Sequence, residues 1–121
     1  MPSRPSGGGR LVRLESQVQR VLAELVAREV KDPRVGPLTI TQVKLAPDLS
    51  IARVYYVPFG GGAGADIEEG LAAAAGFLRG EVGRRAGLRH APKLEFIFDD
   101  SFDRAERLNA LIDSANRPRE S

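Results

Sequence analysis

The segment from Asp66 to Pro92 constrains the fold of this chain most, because it has a helical periodicity that glycines repeatedly interrupt. Apolar residues recur at helical spacing from Ile67 to Val82, and the acids at its start suit a helix N-terminus. Four glycines interrupt the helical pattern: Gly70, Gly76, Gly80 and Gly83. Each costs about 1 kcal/mol relative to alanine in a helix interior. We therefore predict two helices joined by a kink at Ala74-Ala75-Gly76, with a basic second helix.

The composition narrows the possible functions. The chain has 121 residues, enough for one domain with a real core but not for two. It has no cysteine, which excludes disulfides and thiolate sites, and His90 is the only histidine. We therefore expect no catalytic residue, metal or cofactor. The sequence lacks both an apolar run long enough to cross a bilayer and a secretory signal, so we expect a cytoplasmic protein with no membrane partner.

An amphipathic helix is predicted from Leu11 to about Lys31. Asp32-Pro33-Arg34 stops it, since the residue before a proline is pushed out of the helical region. Arg34 could equally be an RNA contact. The polar side of the helix is mostly basic, and either faces phosphates or is simply solvated. Its candidate RNA contacts are Arg13, Arg20, Arg28 and Lys31.

A β-hairpin is predicted to follow. Residues from Leu38 to Leu45 are rich in β-branched side chains, and the alternation slips between Ile40 and Val43, which indicates a bulge. A second strand runs from Ile51 to Val57 and should pair antiparallel to the first. Its core-facing residues are expected to be Ala52, Val54 and Tyr56.

The remaining elements complete an α+β domain of order αββααβ with a short extra C-terminal helix. A third strand is predicted from Lys93 to Asp99, and Asp100-Ser101 can cap the last helix. Because two helices separate the second and third strands, the three-stranded sheet should be mixed, with helices on one face. We expect a flexible leader over residues 1–9, one domain over 10–114 and a flexible tail over 115–121.

Asp99, Asp100 and Asp103 form the one acidic group that suggests a hard-cation site. The same carboxylates precede a predicted helix, where they would cap it and offset its dipole. We favour the capping interpretation.

Charge along the second half of the chain is arranged in blocks. The acids that open the central segment are followed by a basic stretch in which Glu81 is the only acid, and acids then return from Glu95. A one-sided basic patch is typical of nucleic-acid binding, and it is also what the dipole of a helix C-terminus attracts. The candidate contacts in this patch are Arg79, Arg84, Arg85, Arg89 and Lys93.

The predicted order resembles the type II KH fold, which binds nucleic acids. KH domains carry a GxxG loop between the central helices, whereas this chain has Ala74-Ala75-Gly76 there. This Ala-x-Gly kink is similar to that of the ribosome-binding factor A family. The resemblance extends roughly from Leu11 to Ile112 and includes Lys31-Asp32-Pro33-Arg34, Thr39-Ile40-Thr41-Gln42-Val43, Asp48-Leu49, Ala52-Arg53-Val54-Tyr55, Gly76-Phe77-Leu78-Arg79 and Leu88-Arg89.

The resemblance implies a non-catalytic assembly factor. Such a protein would bind the free 30S ribosomal subunit and 16S rRNA, assist late maturation and 5′-end processing, and matter in cold adaptation. It would act as a monomer and bind no DNA. A GTPase or another assembly factor would release it from the subunit. Two alternatives stay open: a single-stranded RNA module using Arg53, Tyr55 and Ile97 on the open sheet face, and a protein-interaction domain that binds no RNA.

Overall fold

The chain folds in the order α1–β1–β2–α2–β3–α3 in a computed structural model, which describes residues 6–59 and 64–116. The helices are α1 (Ser6–Arg28), α2 (Ala65–Arg85) and α3 (Ser101–Asn116), and the strands are β1 (Leu38–Leu45), β2 (Ile51–Pro58) and β3 (Lys93–Phe98). The first helix begins within the segment that we predicted to be a flexible leader, before the expected start at Leu11. Much of the glycine-rich loop that precedes α2 lies outside the described residues.

The sheet has the predicted mixed topology. β1 pairs antiparallel with β2, and β2 pairs parallel with β3, so β2 is the central strand. The register of the hairpin shifts between Ile40 and Gln42, which confirms the predicted bulge. α2 provides the crossover that a parallel pair requires. The α+β class is confirmed.

One hydrophobic core lies between the sheet and the first two helices. Ala52, Val54 and Tyr56 are fully buried, as predicted from their alternation along β2. Against them pack Val18, Leu22 and Leu25 from α1 and Leu71, Leu78 and Val82 from α2. The two helical stripes follow the spacing of an α-helix, so both helices bury one face on the same side of the sheet.

The predicted division of the central segment into two helices is wrong. Residues 65–85 form a single helix, and Ala74-Ala75-Gly76 lies in its interior. Each added helical residue contributes one backbone hydrogen bond, and the core holds the apolar face, so the small penalty of a glycine does not end the helix. Arg85, the last residue of this helix, is exposed, and its guanidinium pairs with Glu81 at 3.4 Å.

Helix α2 ends just before a glycine in a left-handed conformation. Gly87 has a φ of 67°, a left-handed conformation that glycine adopts without steric cost. Leu88 N–H donates to the Gly83 carbonyl at 2.8 Å, and Gly87 N–H donates to the Arg84 carbonyl at 3.4 Å. This pair of bonds is a Schellman motif, which satisfies carbonyls that the helix end leaves free.

The last helix, α3, extends from the sheet with little packing. Leu108, Leu111 and Ile112 are 58%, 68% and 47% exposed. The helix ends at Asn116, within the predicted flexible tail. None of the helices in the described part of the chain is long and apolar enough to span a membrane.

Among the described residues, the Tyr56 hydroxyl is the one buried side-chain oxygen or nitrogen without a hydrogen-bond partner. The ring of Tyr56 packs edge-on against Phe98 with centroids 6.3 Å apart. Burial raises the pKa of this phenol.

Replacing Tyr56 by phenylalanine is therefore expected to stabilise the fold. The variant keeps the aromatic packing and removes a buried hydroxyl, which should raise the free energy of unfolding by about 1 kcal/mol. Urea denaturation followed by circular dichroism measures this difference. A loss of stability would show instead that the hydroxyl makes a favourable contact.

Candidate nucleic-acid interface

The topology places most basic residues of α2 and β3 at one end of the sheet and most acidic residues at the other. β2 and β3 run parallel, with Ile51 beside Lys93 where they begin and Tyr56 beside Phe98 where they finish. α2 connects the finish of β2 to the start of β3, so its acidic first turn lies at one end and its basic last turn at the other. We call the end where β2 and β3 begin the arginine end; it carries Arg79, Arg84, Arg85, Arg89 and Lys93. The opposite, acidic end carries Asp66, Glu68, Glu69, Asp99, Asp100 and Asp103.

Two of the predicted RNA contacts share one counter-charge. Arg84 donates two hydrogen bonds to the Glu81 carboxylate at 2.8 and 2.9 Å, and Arg85 lies 3.4 Å from the same group. The Arg84 hydrogen bonds hold the pKa of Glu81 below its ordinary value, so Glu81 is ionised at neutral pH. The positive charge of this helix end is therefore partly neutralised within the chain.

Arg79 is held in a fixed orientation by the backbone. Its Nε and Nη2 atoms donate to the Ala91 carbonyl at 3.1 and 3.0 Å. This contact joins the C-terminal half of α2 to the loop that precedes β3. An arginine has five N–H donors, so three remain available for a ligand.

Arg79 and Arg89 meet at a cavity of 390 Å³. His90, the only histidine of the sequence, also lines it, although it was not proposed as a contact from the sequence. The β1–β2 turn forms the opposite wall with Asp48, Leu49 and Ser50. Lys93 is exposed at the start of β3.

The basic residues predicted for the first helix do not form one surface, and Lys31 lies after its observed end at Arg28. Arg13 and Arg20 line a groove of 660 Å³ between α1 and β1, together with polar residues such as Gln17. Arg28 instead pairs with Glu24 at 3.5 Å. Lys31 lies near the acidic end, beside Asp32.

Asp32-Pro33-Arg34 forms a closed ion pair rather than an open cationic site. The Arg34 guanidinium donates to both oxygens of Asp32, with the shortest distance at 2.6 Å, and also lies 3.6 Å from Glu69. Hydrogen bonds from Arg34 lower the pKa of Asp32 to about 2. These contacts place Arg34 far from the arginine end and favour a structural role after α1.

The acids that suggested a cation site are engaged in local contacts. Asp99 accepts hydrogen bonds from Ser101 N–H at 2.9 Å and from the Thr41 hydroxyl at 2.6 Å, so it caps α3 and ties it to β1. Asp100 pairs with Arg104 at 2.9 Å. Within residues 6–59 and 64–116, no three metal-ligating side chains group around a possible ion. The carboxylate that accepts from Ser101 N–H, the first N–H of α3, lies one residue before the predicted capping pair Asp100-Ser101.

On the open sheet face, which the single-stranded RNA alternative would use, a carboxylate lies beside the arginine of that alternative. Arg53 lies 3.7 Å from Glu95. Tyr55 sits between Gln42 and Ile97 in the strand register, and both Tyr55 and Ile97 are half-buried.

Two polar residues of α1 protect the outer edge of β1, and the sequence interpretation missed both. The Glu15 carboxylate accepts a hydrogen bond from Leu45 N–H at 2.8 Å, and the Gln19 side-chain amide donates to the Ile40 carbonyl at 3.0 Å. An edge strand normally leaves such groups open to another chain. These contacts weigh against a partner that adds a strand to β1.

Comparison with known proteins gives a consistent result. Residues 10–112 match the family model described as ribosome-binding factor A. A ribosome-binding factor A from Nitrosomonas eutropha is 44% identical over 112 residues, which span 92% of this chain and 96% of the relative.

Solved structures agree with the sequence comparison. The crystal structure of ribosome-binding factor A from Thermus thermophilus superposes with a TM-score of 0.65 at 33% identity, covering 72% of this chain and 93% of that one. A homology model of the Thermus thermophilus factor, fitted into the cryo-EM map of a 30S complex, gives 0.62 at 33% identity over 73% and 93%. On its sequence, topology and relatives, this chain belongs to the ribosome-binding factor A family.

Proposed function

We propose that this chain is a non-catalytic factor that binds the free 30S ribosomal subunit and contacts 16S rRNA through its arginine end. The observation that carries the proposal is family membership, together with the Thermus thermophilus relative that was fitted into a 30S complex. The clustering of basic residues at one end of the sheet supports rRNA as the contacted component, because phosphates attract such a surface.

The proposed action is stabilisation of one rRNA conformation. A protein that binds one RNA conformation more tightly than the alternative conformations shifts the population toward the bound one, and no bond needs to be made or broken. By this means the chain would assist late 30S maturation and 16S 5′-end processing. The benefit would be greatest in the cold, where misfolded RNA rearranges slowly.

Release requires energy or competition from elsewhere. A GTPase or another assembly factor would displace the chain when the subunit matures. We further propose that the chain works in the cytoplasm and as a monomer.

Co-sedimentation through sucrose gradients tests the proposal. The chain should migrate with isolated 30S subunits, and not with 50S subunits or assembled ribosomes. Co-sedimentation with all three particles, or with none, would refute it.

Charge reversal tests the location of the contact. The variant Arg84→Glu/Arg85→Glu should bind 30S subunits at least about tenfold more weakly and with a flatter salt dependence. The matched control is Arg104→Glu/Arg107→Glu on α3, which changes net charge equally at the acidic end. Circular dichroism verifies that both variants are folded. Equal losses for the two variants would contradict the assignment of the arginine end.

A further inference from the structure

Contacts within the chain hold the walls of the cavity at the arginine end in place. We call it the loop pocket; it lies between the β1–β2 turn, α2 and the loop over residues 86–91. Three contacts hold that loop: the Schellman motif at Gly87, the Arg79 hydrogen bonds to the Ala91 carbonyl, and the packing of Gly83 against Ala91. Pro92, the next residue, is fully buried.

The opposite wall is also held in place. Leu49 has a φ of 62°, which is uncommon for a leucine, and its N–H donates to the Ala46 carbonyl at 2.8 Å. The conformation directs its side chain against the edge of the core. Asp48 accepts hydrogen bonds from the Ser50 backbone at 3.0 Å and hydroxyl at 2.7 Å. Both walls are therefore formed before any ligand arrives.

The lining combines two kinds of surface. Leu49 and Leu88 provide apolar walls, and His90 provides an exposed aromatic ring. Arg79 has free donors and a fixed orientation, which suits the paired oxygens of a phosphate. Arg89 adds a second guanidinium; among residues 6–59 and 64–116 it takes part in none of the ion pairs.

We propose that the loop pocket binds one unstacked nucleotide of single-stranded RNA, with its phosphate against Arg79 and Arg89 and its base against His90, Leu49 and Leu88. The inference rests on the rRNA contact proposed above and names the part of the arginine end that receives the RNA. A bare phosphate would use the arginines but leave the apolar walls empty. The volume of 390 Å³ lies within the range of about 300–1,000 Å³ that is usual for ligand pockets. Unstacked RNA bases commonly lie on histidine and other rings.

The Asp48 carboxylate limits how the nucleotide enters. Ser50 hydrogen bonds lower the pKa of Asp48, so it is ionised at neutral pH and repels phosphate from the turn side. It can accept a hydrogen bond from a ribose hydroxyl or a base amine instead. The phosphate therefore belongs on the α2 side, beside Arg79.

Nuclear magnetic resonance of the labelled full chain tests the proposal. A short single-stranded oligouridylate should shift the Arg79 side-chain N–H, the His90 ring and the methyl groups of Leu49 and Leu88 in a saturable way. Inorganic phosphate should leave the leucine methyls unshifted, and a blunt RNA duplex should not reproduce the pattern. Identical shifts with phosphate and oligouridylate would overturn the nucleotide assignment, as would identical shifts with the duplex.

Variants separate the contributions within the pocket. His90→Ala should weaken oligouridylate binding by about tenfold, the usual effect of losing one stacking partner. Arg89→Ala should weaken it comparably without touching the Arg79–Ala91 contact, whereas Arg107→Ala, on α3 and outside the pocket, should have little effect. Equal effects of all three variants would overturn the assignment.

The two proposals fail in different ways. If the chain co-sediments with 30S subunits but oligouridylate does not shift the pocket residues, the pocket assignment is wrong and the proposed function stands. If the pocket residues shift but the chain does not bind 30S subunits, the proposed function is wrong and the nucleotide site stands.

Discussion

Replacing Gly83 by alanine is expected to lower the free energy of unfolding by about 1–2 kcal/mol, whereas the same change at Gly80 should raise it by about 1 kcal/mol. Both glycines lie in α2. A Cβ at Gly83 would sit 2.9 Å from the Ala91 Cβ, which can move only with its backbone. Apart from the adjacent backbone of its own helix and its two chain neighbours, a Cβ at Gly80 would meet no atom within 4 Å, so only the gain in helix propensity remains.

Paired urea titrations of the two variants and the parent chain measure the difference. Gly76→Ala is the matched control for Gly80→Ala, because it also has open space at the position of the new Cβ. Stabilisation by Gly83→Ala would mean that the loop before β3 can yield. The loop pocket would then lack its fixed wall.

Replacing Glu81 by glutamine is expected to tighten binding to 30S subunits by roughly three- to tenfold at low salt. The change removes the carboxylate that Arg84 and Arg85 share, so both guanidinium groups become available to phosphates. The salt dependence should steepen by about one unit in the log–log slope for each added phosphate contact. Fluorescence anisotropy over a series of salt concentrations measures both quantities.

The matched control is Glu106→Gln on α3, which makes the same chemical change at the acidic end. An equal gain in both variants would indicate a general charge effect rather than a contact at Arg84 and Arg85. Glu81→Gln should also cost some stability at neutral pH. The pKa of Glu81 is lowered by folding, so its contribution is fully present above the ordinary carboxyl pKa and is lost as the pH falls through the lowered pKa of the folded state.

The hairpin and the third strand could be predicted because their signals are local. Alternation placed Ala52, Val54 and Tyr56 in the core, and the slipped phase after Ile40 marked the bulge. The parallel pairing of β3 followed from the helical segment that separates it from β2. These features depend on spacing along the chain and on general rules of connection.

The central helix was predicted incorrectly because glycines have more than one role. Gly70 and Gly83 allow close approach to Val35 and Ala91, which lie elsewhere in the chain. Only the folded structure distinguishes such positions from Gly76 and Gly80, which face open space. The low helix propensity of these glycines was therefore interpreted as a break in the helix. Tertiary packing instead holds α2 together as one helix.

The candidate site was predicted in part. The sequence identified the basic residues at the end of α2, and the Glu81 pairs at helical spacing could have been found from it as well. The Arg79 contact with the Ala91 carbonyl could not, because it depends on the path of the loop after Gly87. Because of that contact, Arg79 has a fixed orientation, which distinguishes it from the other arginines of the arginine end.

The separation of charge between the two ends of the sheet gives the molecule an electric dipole along its strands. In the negative field of an rRNA surface, a dipole experiences a torque that turns its positive end forward. The chain would then be aligned before the first contact forms, and a collision with the acidic end first would be repelled. Mutations that leave every contact at the arginine end intact, but neutralise acids at the other end, would on this view change the association rate by altering the fraction of productive collisions.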